Sequence, residues 1–417
     1  MDKESQVLQA YAIAKERYAA VGVDTDKAIE TLERTPVSLH CWQTDDVMGF
    51  EGGEGLSGGI QTTGNYPGRA RTIDEVRHDL EFVKSLLAGT QRVNLHEIYG
   101  DFGGRYVDRD QVDASHFQSW MDWSRSVGMC LDFNSTSFGH PKSGDLTLAH
   151  PDPAIRAFWI EHTRRCRRIA DAMGKAQGDP CMMNIWVHDG LKDITVERRR
   201  YRELLMASLD EILAERLTGM KDCVEAKLFG IGLESFTAGS HDFYAGYCAT
   251  RKVIYTLDTG HYEPTENVAD MVSSLLLYVP ELMLHVSRPI RWDSDHVTLM
   301  NDPTLDLFRE IVRADALGRA HIGLDYFDAS INRIGAYLIG TRATQKCLLQ
   351  ALLEPLALLR DHEDHDHGFE RLALLEETKS LPFGAVYDYF NLKNGVPVGE
   401  DYIARVQEYE KRVTSKR

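Results

Sequence analysis

Five carboxylates and two histidines, spread between positions 225 and 325, are the residues of this chain best suited to do chemistry. Each lies near the end of a short apolar run, and each run is followed by a helical pattern. They are Glu225, Asp258, His261, His285, Asp293, Asp295 and Asp325. Oxygen ligands with one or two imidazoles suit hard to borderline divalent cations such as Mn²⁺ or Mg²⁺. Their spread over four consecutive apolar runs predicts a two-metal site.

The charge of this group favours two cations over one. Unpaired buried carboxylates are very costly, so five of them brought together require positive charge. Two divalent ions would leave one negative charge, which Lys227 can offset because it lies on the same side of an extended strand as Glu225. Any one of these acids alone is more often a solvated loop residue, and a lone histidine is more often a satisfied core residue. The prediction therefore depends on all seven occurring together.

The elements that could bring these residues together are short apolar runs separated by helical patterns. Eight such runs occur, at residues 36–42, 92–100, 128–134, 183–190, 224–230, 253–260, 282–289 and 321–328. Eight alternations predict an α/β fold, a (β/α)₈ TIM barrel over residues 35–340; an open α/β sheet with additional strands is the alternative. In such a barrel the chemistry lies at the carboxyl ends of the strands. All seven candidate ligands fall at or just after those ends.

The chain continues on both sides of the predicted barrel. Apolar positions three and four residues apart predict an N-terminal helix over residues 1–34. Helical patterns over residues 341–417 exceed what a barrel needs, and we expect this helical extension to form oligomer contacts. No internal repeat or low-complexity linker divides the sequence, which is therefore interpreted as a single catalytic unit.

Composition narrows the classes of function. The formal net charge of −17 argues against a nucleic-acid or anionic-membrane partner, since both favour basic surfaces. The seven cysteines include no C-x-x-C pair, so they predict neither a thiolate zinc site nor a disulfide framework. The first residues lack the apolar stretch of a signal peptide, and no run reaches the length of a membrane span. We therefore expect a cytoplasmic protein.

Longer sequence strings carry a resemblance to a known family. The strings that closely resemble L-rhamnose isomerases are RVNLHEIYGDFGG, VEAKLFGIG with ESFTAGSHDFY, LDTGHYEPTE, LHVSRPIRWDSDHV and HIGLDYFDASINRI. The match runs nearly end to end, from SLHCWQTDDVMGFEG to LEETKSLPFGAVYDYF. No ligand position departs from the family pattern, although His188 stands where proline would be expected. The resemblance implies a (β/α)₈ barrel related to xylose isomerase, usually a homotetramer, that requires Mn²⁺ or a similar divalent ion such as Mg²⁺, Co²⁺ or Zn²⁺.

The resemblance also implies roles for individual residues, with two ions in each subunit. The ligands of a first, structural ion would be Glu225, Asp258, His285 and Asp325. The ligands of a second, catalytic ion would be Asp258, His261, Asp293 and Asp295. The implied reaction is the reversible conversion of L-rhamnose to L-rhamnulose, a step of sugar catabolism. Lys227 would assist at the sugar's O1, and Asp325, Lys227 and His261 are the expected catalytic residues.

Two residues at other predicted strand ends are candidate contacts of the substrate, in addition to Lys227. Trp186 could pack against a sugar, although it is equally well interpreted as a buried core residue. His96 could hydrogen-bond a sugar hydroxyl or act as a ring-opening base.

A long glycine-rich segment, residues 49–68, follows the first apolar run and is interpreted as a lid. Its residues Leu56, Ile60 and Tyr66 could offer an apolar spot to the methyl group of a 6-deoxy sugar. The string Gly53 to Gly58 matches G-x-G-x-x-G, but it opens no helix and is not a dinucleotide fingerprint.

A metal-assisted 1,2-hydride shift is the expected chemistry of the isomerisation. A divalent cation polarises the carbonyl and activates a water for proton transfer between O1 and O2, which Asp325 would steer. An enediol route needs a separate carbon base, for which Glu97 is a weak candidate. Three alternatives remain open: an isomerase acting mainly on another aldose such as L-mannose or L-lyxose, a metal-dependent aldolase or lyase, and a metal-dependent phosphodiesterase.

Overall fold

The computed structural model describes residues 2–52, 62, 64–232 and 234–417. Eight parallel strands close into a barrel in which neighbours along the chain are neighbours in the sheet, and the last strand pairs with the first. They are β1 (Val37–His40), β2 (Gln91–His96), β3 (Cys130–Asn134), β4 (Cys181–Ile185), β5 (Met220–Glu225), β6 (Ile254–Asp258), β7 (Leu282–Val286) and β8 (Ala320–Leu324). The predicted (β/α)₈ barrel is confirmed.

Helices surround the barrel and continue beyond it. They are α1 (Lys3–Ala19), α2 (Thr25–Arg34), α3 (Trp42–Asp45), α4 (Ile73–Lys84), α5 (Gln118–Val127), α6 (Pro153–Gln177), α7 (Arg198–Ile212), α8 (His241–Arg251), α9 (Asp270–Leu275), α10 (Asp302–Arg313), α11 (Arg333–Leu352), α12 (Leu356–Asp364), α13 (Gly368–Thr378), α14 (Phe383–Lys393) and α15 (Tyr402–Arg412). Among the described residues, no helix combines the length and apolar character that a membrane crossing requires.

Two short antiparallel strand pairs stand at the carboxyl ends of the barrel strands. One pairs Gly190–Leu191 with Phe236–Thr237, and the other is a hairpin of Arg288–Ile290 with Trp292–His296. The hairpin follows β7 directly. It therefore carries two of the candidate ligands on a loop element instead of on a barrel strand.

Apolar side chains fill the barrel interior below its carboxyl end. Met182, Cys223, Ile254 and Met283, one from each of β4 to β7, form a buried layer near the amino ends of these strands. The interior also holds an ion pair, in which Arg92 of β2 lies 2.8 Å from the buried Asp132 of β3. The candidate ligands are separate from this pair and lie where the strands end.

The predicted N-terminal helix is divided into two helices. Gly22 adopts a left-handed conformation with φ of +77° between α1 and α2. Asp24 then starts α2, because its side chain accepts hydrogen bonds from the backbone N–H groups of Asp26 at 3.0 Å and Lys27 at 3.1 Å. The left-handed glycine and the N-cap together end one helix and begin the next.

The helices after the barrel pack back onto its first elements. α11 runs through the predicted boundary at residue 340, so no break in secondary structure separates the extension from the barrel. In α14, Tyr389 stacks on Tyr11 of α1 with ring centroids 3.8 Å apart. At the other end of the extension, Arg417 forms an ion pair of 2.7 Å with Asp79 of α4.

The Asp79 cluster is expected to contribute strongly to stability. Asp79 is buried and accepts hydrogen bonds from Arg417 and from the Tyr409 hydroxyl at 2.6 Å. The substitution Asp79→Ala leaves a buried guanidinium unpaired, which should cost about 3–5 kcal/mol of unfolding free energy. Urea denaturation measures the loss. The control Glu30→Ala breaks an exposed pair with Arg34 and should cost less than about 1 kcal/mol; equal effects of the two substitutions would contradict this account.

Candidate active site

One pocket at the carboxyl ends of the barrel strands contains nearly all the predicted site residues. Its lining consists of Trp42, His96, Asn134, Asn184, Trp186, Glu225, Lys227, His261, His285, Asp293, Asp295, Asp325 and Phe327. Of the ten residues predicted as metal ligands, catalytic groups or substrate contacts, only Asp258 is absent from this lining. Asp258 lies directly behind it, in contact with His261 and His285 at 3.7 and 3.8 Å.

Four ligand-type side chains converge where β5, β6, β7 and β8 end side by side. The donor atoms of Glu225, Asp258, His285 and Asp325 all lie within 4.8 Å of one another, and all four residues are buried. The Nδ1 atom of His285 lies 3.3 Å from Glu225 Oε2 and 3.3 Å from Asp325 Oδ2. These are the residues predicted for the first ion, and the group could hold a divalent metal.

The charges of this cluster are unbalanced without a cation. Burial, with repulsion from Glu225 and Asp325, raises the pKa of Asp258 well above its usual value. Burial alone would lower the pKa of His285, but the carboxylates of Glu225 and Asp325 raise it well above its usual value. The cluster thus retains protons that a bound cation would replace.

Unpaired polar atoms fit the same interpretation. Both ring nitrogens of His285 and the Oδ1 atom of Asp325 are buried and have no hydrogen-bond partner among the described residues. Buried polar atoms of this kind are rare in folded proteins and require an explanation such as an ion. The donor set of three carboxylates and one imidazole suits Mn²⁺ or a similar divalent metal.

The residues predicted for the second ion lie beside the first group. The Nε2 atom of His261 is 3.2 Å from Asp293 Oδ2, and Asp295 lines the same pocket. Burial and the nearby Asp293 raise the pKa of Asp295 well above its usual value. The Lys227 ammonium lies 2.7 Å from Asp293 Oδ2. The structure therefore brings both ligand sets and Lys227 into one continuous network.

Asp293 and Asp295 do not reach the pocket by simple strand alternation. Both lie on the hairpin strand Trp292–His296, and Asp295 has a left-handed backbone with φ of +47°. A positive φ outside glycine is uncommon and is several-fold enriched in aspartate and asparagine. Both carboxylates line the pocket.

Three groups that the sequence did not suggest hold the ligands in place. The side-chain amide of Asn184 donates a hydrogen bond of 2.5 Å to Glu225 Oε2, and the hydroxyl of Thr256 donates to Asn184 Oδ1 at 2.7 Å. The backbone N–H of Gly260 donates to Asp258 Oδ1 at 2.6 Å. Hydrogen bonds of this kind fix the orientation of metal ligands.

His40, at the end of β1, is a further residue that the sequence reasoning missed. Its Nε2 atom lies 3.4 Å from Asp325 Oδ1 and has no hydrogen-bond partner in the part of the chain that the structure describes. Burial lowers the pKa of His40 to about 4, although Asp325 opposes the shift. The rule that placed the other ligands, a polar residue at the end of an apolar run, applied to His40 as well and could have found it.

Aromatic rings also line the pocket, and Phe138 packs against them from outside the lining. The ring of Trp42 lies 4.0 Å from that of His96, 5.8 Å from Phe138 and 5.4 Å from Phe327, measured between centroids. Trp186 is 5.8 Å from Phe138. We call these four aromatic residues and His96 the aromatic wall. Both predicted substrate contacts at strand ends, His96 and Trp186, belong to it.

Other residues considered from the sequence lie away from this pocket. Glu97 is fully buried outside the lining, 3.6 Å from Arg109, and burial raises its pKa to about 8. Tyr66 donates its hydroxyl to Glu410 of α15 at 2.6 Å and is not part of the lining. Leu56 and Ile60, with the string Gly53 to Gly58, lie outside the described residues.

Comparison with known proteins identifies the family. The family model described as L-rhamnose isomerase (RhaA) matches residues 5–417. The chain belongs to the L-rhamnose isomerase family. A curated L-rhamnose isomerase from Bacteroides thetaiotaomicron is 66% identical over 100% of both chains. L-rhamnose isomerases from Rhodopirellula baltica and Escherichia coli K12 are each 51% identical and cover 100% and 99% of this chain, and 98% and 99% of their own.

L-rhamnose isomerases are aldose–ketose isomerases. Two solved structures of sugar epimerases are among those to which this chain is similar. A solved L-ribulose 3-epimerase is 12% identical, with a TM-score of 0.47 over 76% of this chain and 95% of its own. A D-allulose 3-epimerase from Methylomonas sp. is 13% identical, with a TM-score of 0.46 over 77% of this chain and 96% of its own.

Cation binding to the Glu225 cluster is expected to release protons. Asp258 and His285 have raised pKa values, so the cluster without a cation favours their protonated forms, and cation binding must displace those protons. The affinity for Mn²⁺ should therefore rise with pH and fall as the medium is acidified. Calorimetry in two buffers of different ionisation enthalpy should give about one or two protons released per ion.

The matched control for this titration is Glu281→Gln. Glu281 is an ion-paired carboxylate, 2.6 Å from Lys221, away from the pocket lining. On binding Mn²⁺, the Glu281→Gln variant should release the same number of protons as the wild type. Binding of Mn²⁺ with no proton release would contradict the protonated state inferred for the cluster.

Proposed function

We propose that this protein catalyses the reversible conversion of L-rhamnose to L-rhamnulose. The observation that carries the proposal is a buried carboxylate–histidine cluster at the barrel mouth of a chain that matches the L-rhamnose isomerase family over residues 5–417. Converting an aldose to its ketose moves one hydrogen from C2 to C1 and one proton between O2 and O1. A pocket that combines cation ligands with aromatic rings suits a sugar with two adjacent oxygens.

We assign one divalent ion to each of the two ligand sets, with Mn²⁺ as the first choice of metal for both. The first set is Glu225, Asp258, His285 and Asp325. The second set is Asp258, His261, Asp293 and Asp295. A divalent cation, when bound, polarises the sugar carbonyl and stabilises the negative charge that develops on its oxygens.

Lys227 would stabilise negative charge on the sugar's O1. Burial disfavours its charged form, but Asp293 and Asp295 keep the pKa of Lys227 above its usual value, so the amine stays charged. Its Nζ atom lies 4.9 Å from the ring centroid of Trp186, which limits the positions that the ammonium can take. A fixed positive charge is most effective where water is excluded.

Asp325 would carry the proton between O1 and O2 through a water molecule. Burial raises its pKa, but the nearby His40 and His285 lower it to about 2, so Asp325 is ionised near neutrality and can accept a proton. His261 completes the set of catalytic residues beside Asp293. Each of these groups lies within the same pocket lining as Lys227, except His40, which supports Asp325 from behind.

His96 and Trp186 would bind the sugar. Burial lowers the pKa of His96 well below its usual value, so its imidazole is neutral. Its Nδ1 atom lies 3.2 Å from the hydroxyl of Thr136, which leaves Nε2 for a sugar hydroxyl or for opening the ring. Trp186 would present its ring face to the apolar side of the sugar.

A direct hydride shift from C2 to C1 fits this arrangement better than an enediol. An enediol needs a base for the carbon-bound proton that is separate from the cation ligands. Glu97, the weak candidate for that role, faces Arg109 outside the pocket lining.

Isomerisation in D₂O distinguishes the two routes. A hydride shift should leave the hydrogen of C1 and C2 unexchanged, and proton NMR of the ketose measures this directly. The variant Glu97→Gln should keep wild-type kcat, because Glu97 does not touch the reacting atoms. Rapid deuterium incorporation at C1 or C2 would overturn the pure hydride shift.

Isomerase activity should depend on the carboxylates of both ligand sets. Chelated enzyme should lose L-rhamnose isomerase activity and regain it with Mn²⁺, tested against Mg²⁺, Co²⁺ and Zn²⁺. The substitutions Glu225→Gln and Asp293→Asn each remove a ligand from one set only and should lower kcat by at least about 100-fold. The control Asp210→Asn breaks an ion pair with Arg251 away from the pocket and should keep full activity. Activity that survives chelation would overturn the metal assignment.

We further propose that residues 1–417 form one catalytic unit that works in the cytoplasm as a homotetramer. α13 contains no buried residue, and its Phe369 and Leu372 side chains are 81% and 68% exposed. An 11-residue helix gains little stability in water without packing. A second subunit covering this surface would supply that packing, as expected for the helical extension.

A double substitution on α13 tests the subunit contact. Phe369→Asp with Leu372→Asp should give a smaller particle in size-exclusion chromatography with light scattering, because two charges replace the apolar contact. Leu277→Asp with Tyr278→Asp changes two similarly exposed apolar residues outside the extension and should leave the mass unchanged. If only the variant with Leu277→Asp and Tyr278→Asp gave a smaller particle, the subunit interface would lie at those residues and not at α13.

A further inference from the structure

Arg109, in the loop after β2, is a buried residue with several hydrogen-bond partners and no role in the reaction described above. It is 2% exposed, and its guanidinium donates to both carboxyl oxygens of Glu51 at 2.8 Å. The same guanidinium donates to the backbone carbonyls of Thr136 at 2.8 Å and Phe138 at 2.6 Å. Few side chains other than arginine can make so many directed bonds from one planar group.

These bonds connect three loops at the barrel mouth. Glu51 follows β1, Arg109 follows β2, and Thr136 and Phe138 follow β3. A carboxylate, a guanidinium and two carbonyls therefore tie the first three strand ends together. Arg109 itself is not part of the pocket lining, and its hydrogen bonds reach none of the cation ligands.

The two residues whose carbonyls bind Arg109, Thr136 and Phe138, contact or belong to the aromatic wall. The hydroxyl of Thr136 is 3.2 Å from the Nδ1 atom of His96. The ring of Phe138 lies 5.8 Å from Trp42, 5.8 Å from Trp186 and 6.5 Å from His96. The position of the backbone at 136–138 therefore sets where His96 and Phe138 stand relative to the two tryptophans.

We infer that Arg109 is a positioning residue for sugar binding: by holding the carbonyls of Thr136 and Phe138, it fixes the aromatic wall without touching sugar or cation. The inference rests on the proposed isomerase function. The proposed sugar contacts of the aromatic wall, His96 and Trp186, are not cation ligands, so we expect a shift of the wall to change mainly the sugar binding that is equal in the ground state and the transition state. Loss of such uniform binding raises KM and leaves kcat nearly unchanged.

The substitution Arg109→Lys is the most informative change. Lysine keeps the positive charge beside Glu51 and Glu97, but it cannot donate to a carboxylate and two carbonyls at once. The released loop should let Phe138 and His96 shift. We expect KM for L-rhamnose to rise about tenfold, equivalent to about 1.4 kcal/mol, with little change in kcat. Bound Mn²⁺, measured by mass spectrometry, should be unchanged.

The chain offers a closely matched control in Arg167 of α6. This arginine is 1% exposed and donates to both carboxyl oxygens of Asp222, at 2.7 and 2.9 Å. It also donates to the carbonyls of Ile212 at 2.6 Å and Glu215 at 2.8 Å. None of these residues belongs to the pocket lining. Arg167→Lys should lower the melting temperature as much as Arg109→Lys and leave KM unchanged.

The outcomes separate a positioning role from a structural one. A raised KM in Arg109→Lys alone supports the inference. Equal KM values in the two variants and the wild type, with similar losses of melting temperature, overturn it. A wild-type protein that binds Mn²⁺ but does not isomerise L-rhamnose overturns the proposed function, and the inference with it.

A second variant covers the case in which Arg109→Lys does not fold. Glu51→Gln weakens the two hydrogen bonds between the Arg109 guanidinium and the side chain at position 51, and it leaves the arginine in place. It should raise KM by a smaller factor, about threefold, again with kcat and bound Mn²⁺ unchanged. An unchanged KM in Glu51→Gln would then overturn the inference.

Discussion

The crowding of negative charge at the barrel mouth is the constraint on which the rest of the site depends. Glu225 and Asp258 end the adjacent strands β5 and β6, Asp325 follows β8, and the hairpin after β7 adds Asp293 and Asp295. Coulomb repulsion between buried carboxylates a few ångströms apart is large, and only cations, protons or hydrogen bonds relieve it. Lys227 and two imidazoles relieve part of it, and the raised pKa of Asp258 marks the remainder.

The barrel makes this crowding possible because it fixes the backbone before the side chains meet. Parallel strands end at one edge, so residues far apart in sequence reach the same place without any flexible linker. Hydrogen bonds from Asn184 and from the Gly260 backbone then restrict the rotamers of Glu225 and Asp258. Elsewhere in the interior, Met182, Cys223, Ile254 and Met283 form a small apolar layer.

Much of this arrangement could be predicted from the sequence, because apolar alternation and strand-end polarity are local signals. They indicated eight strands, and they indicated Glu225, Asp258, His285 and Asp325 as neighbours. The contributions of the left-handed Asp295, the Asn184 amide and the carbonyls bound by Arg109 could not be predicted in the same way. Each depends on a turn conformation or on a partner distant in sequence, and no spacing rule reports such contacts. His40 was missed although the strand-end rule covered it.

The hydrogen-bond chain from Thr256 through Asn184 to Glu225 has a consequence for changing which metal the protein selects. It crosses β6, β4 and β5, so the reach of the Glu225 carboxylate is set by three strands at once. Shortening that side chain by one methylene would pull its oxygen away from the amide and leave two buried polar groups unsatisfied. Retuning ion preference would therefore require coordinated replacement across neighbouring strands, and single ligand swaps would mainly weaken affinity for every ion.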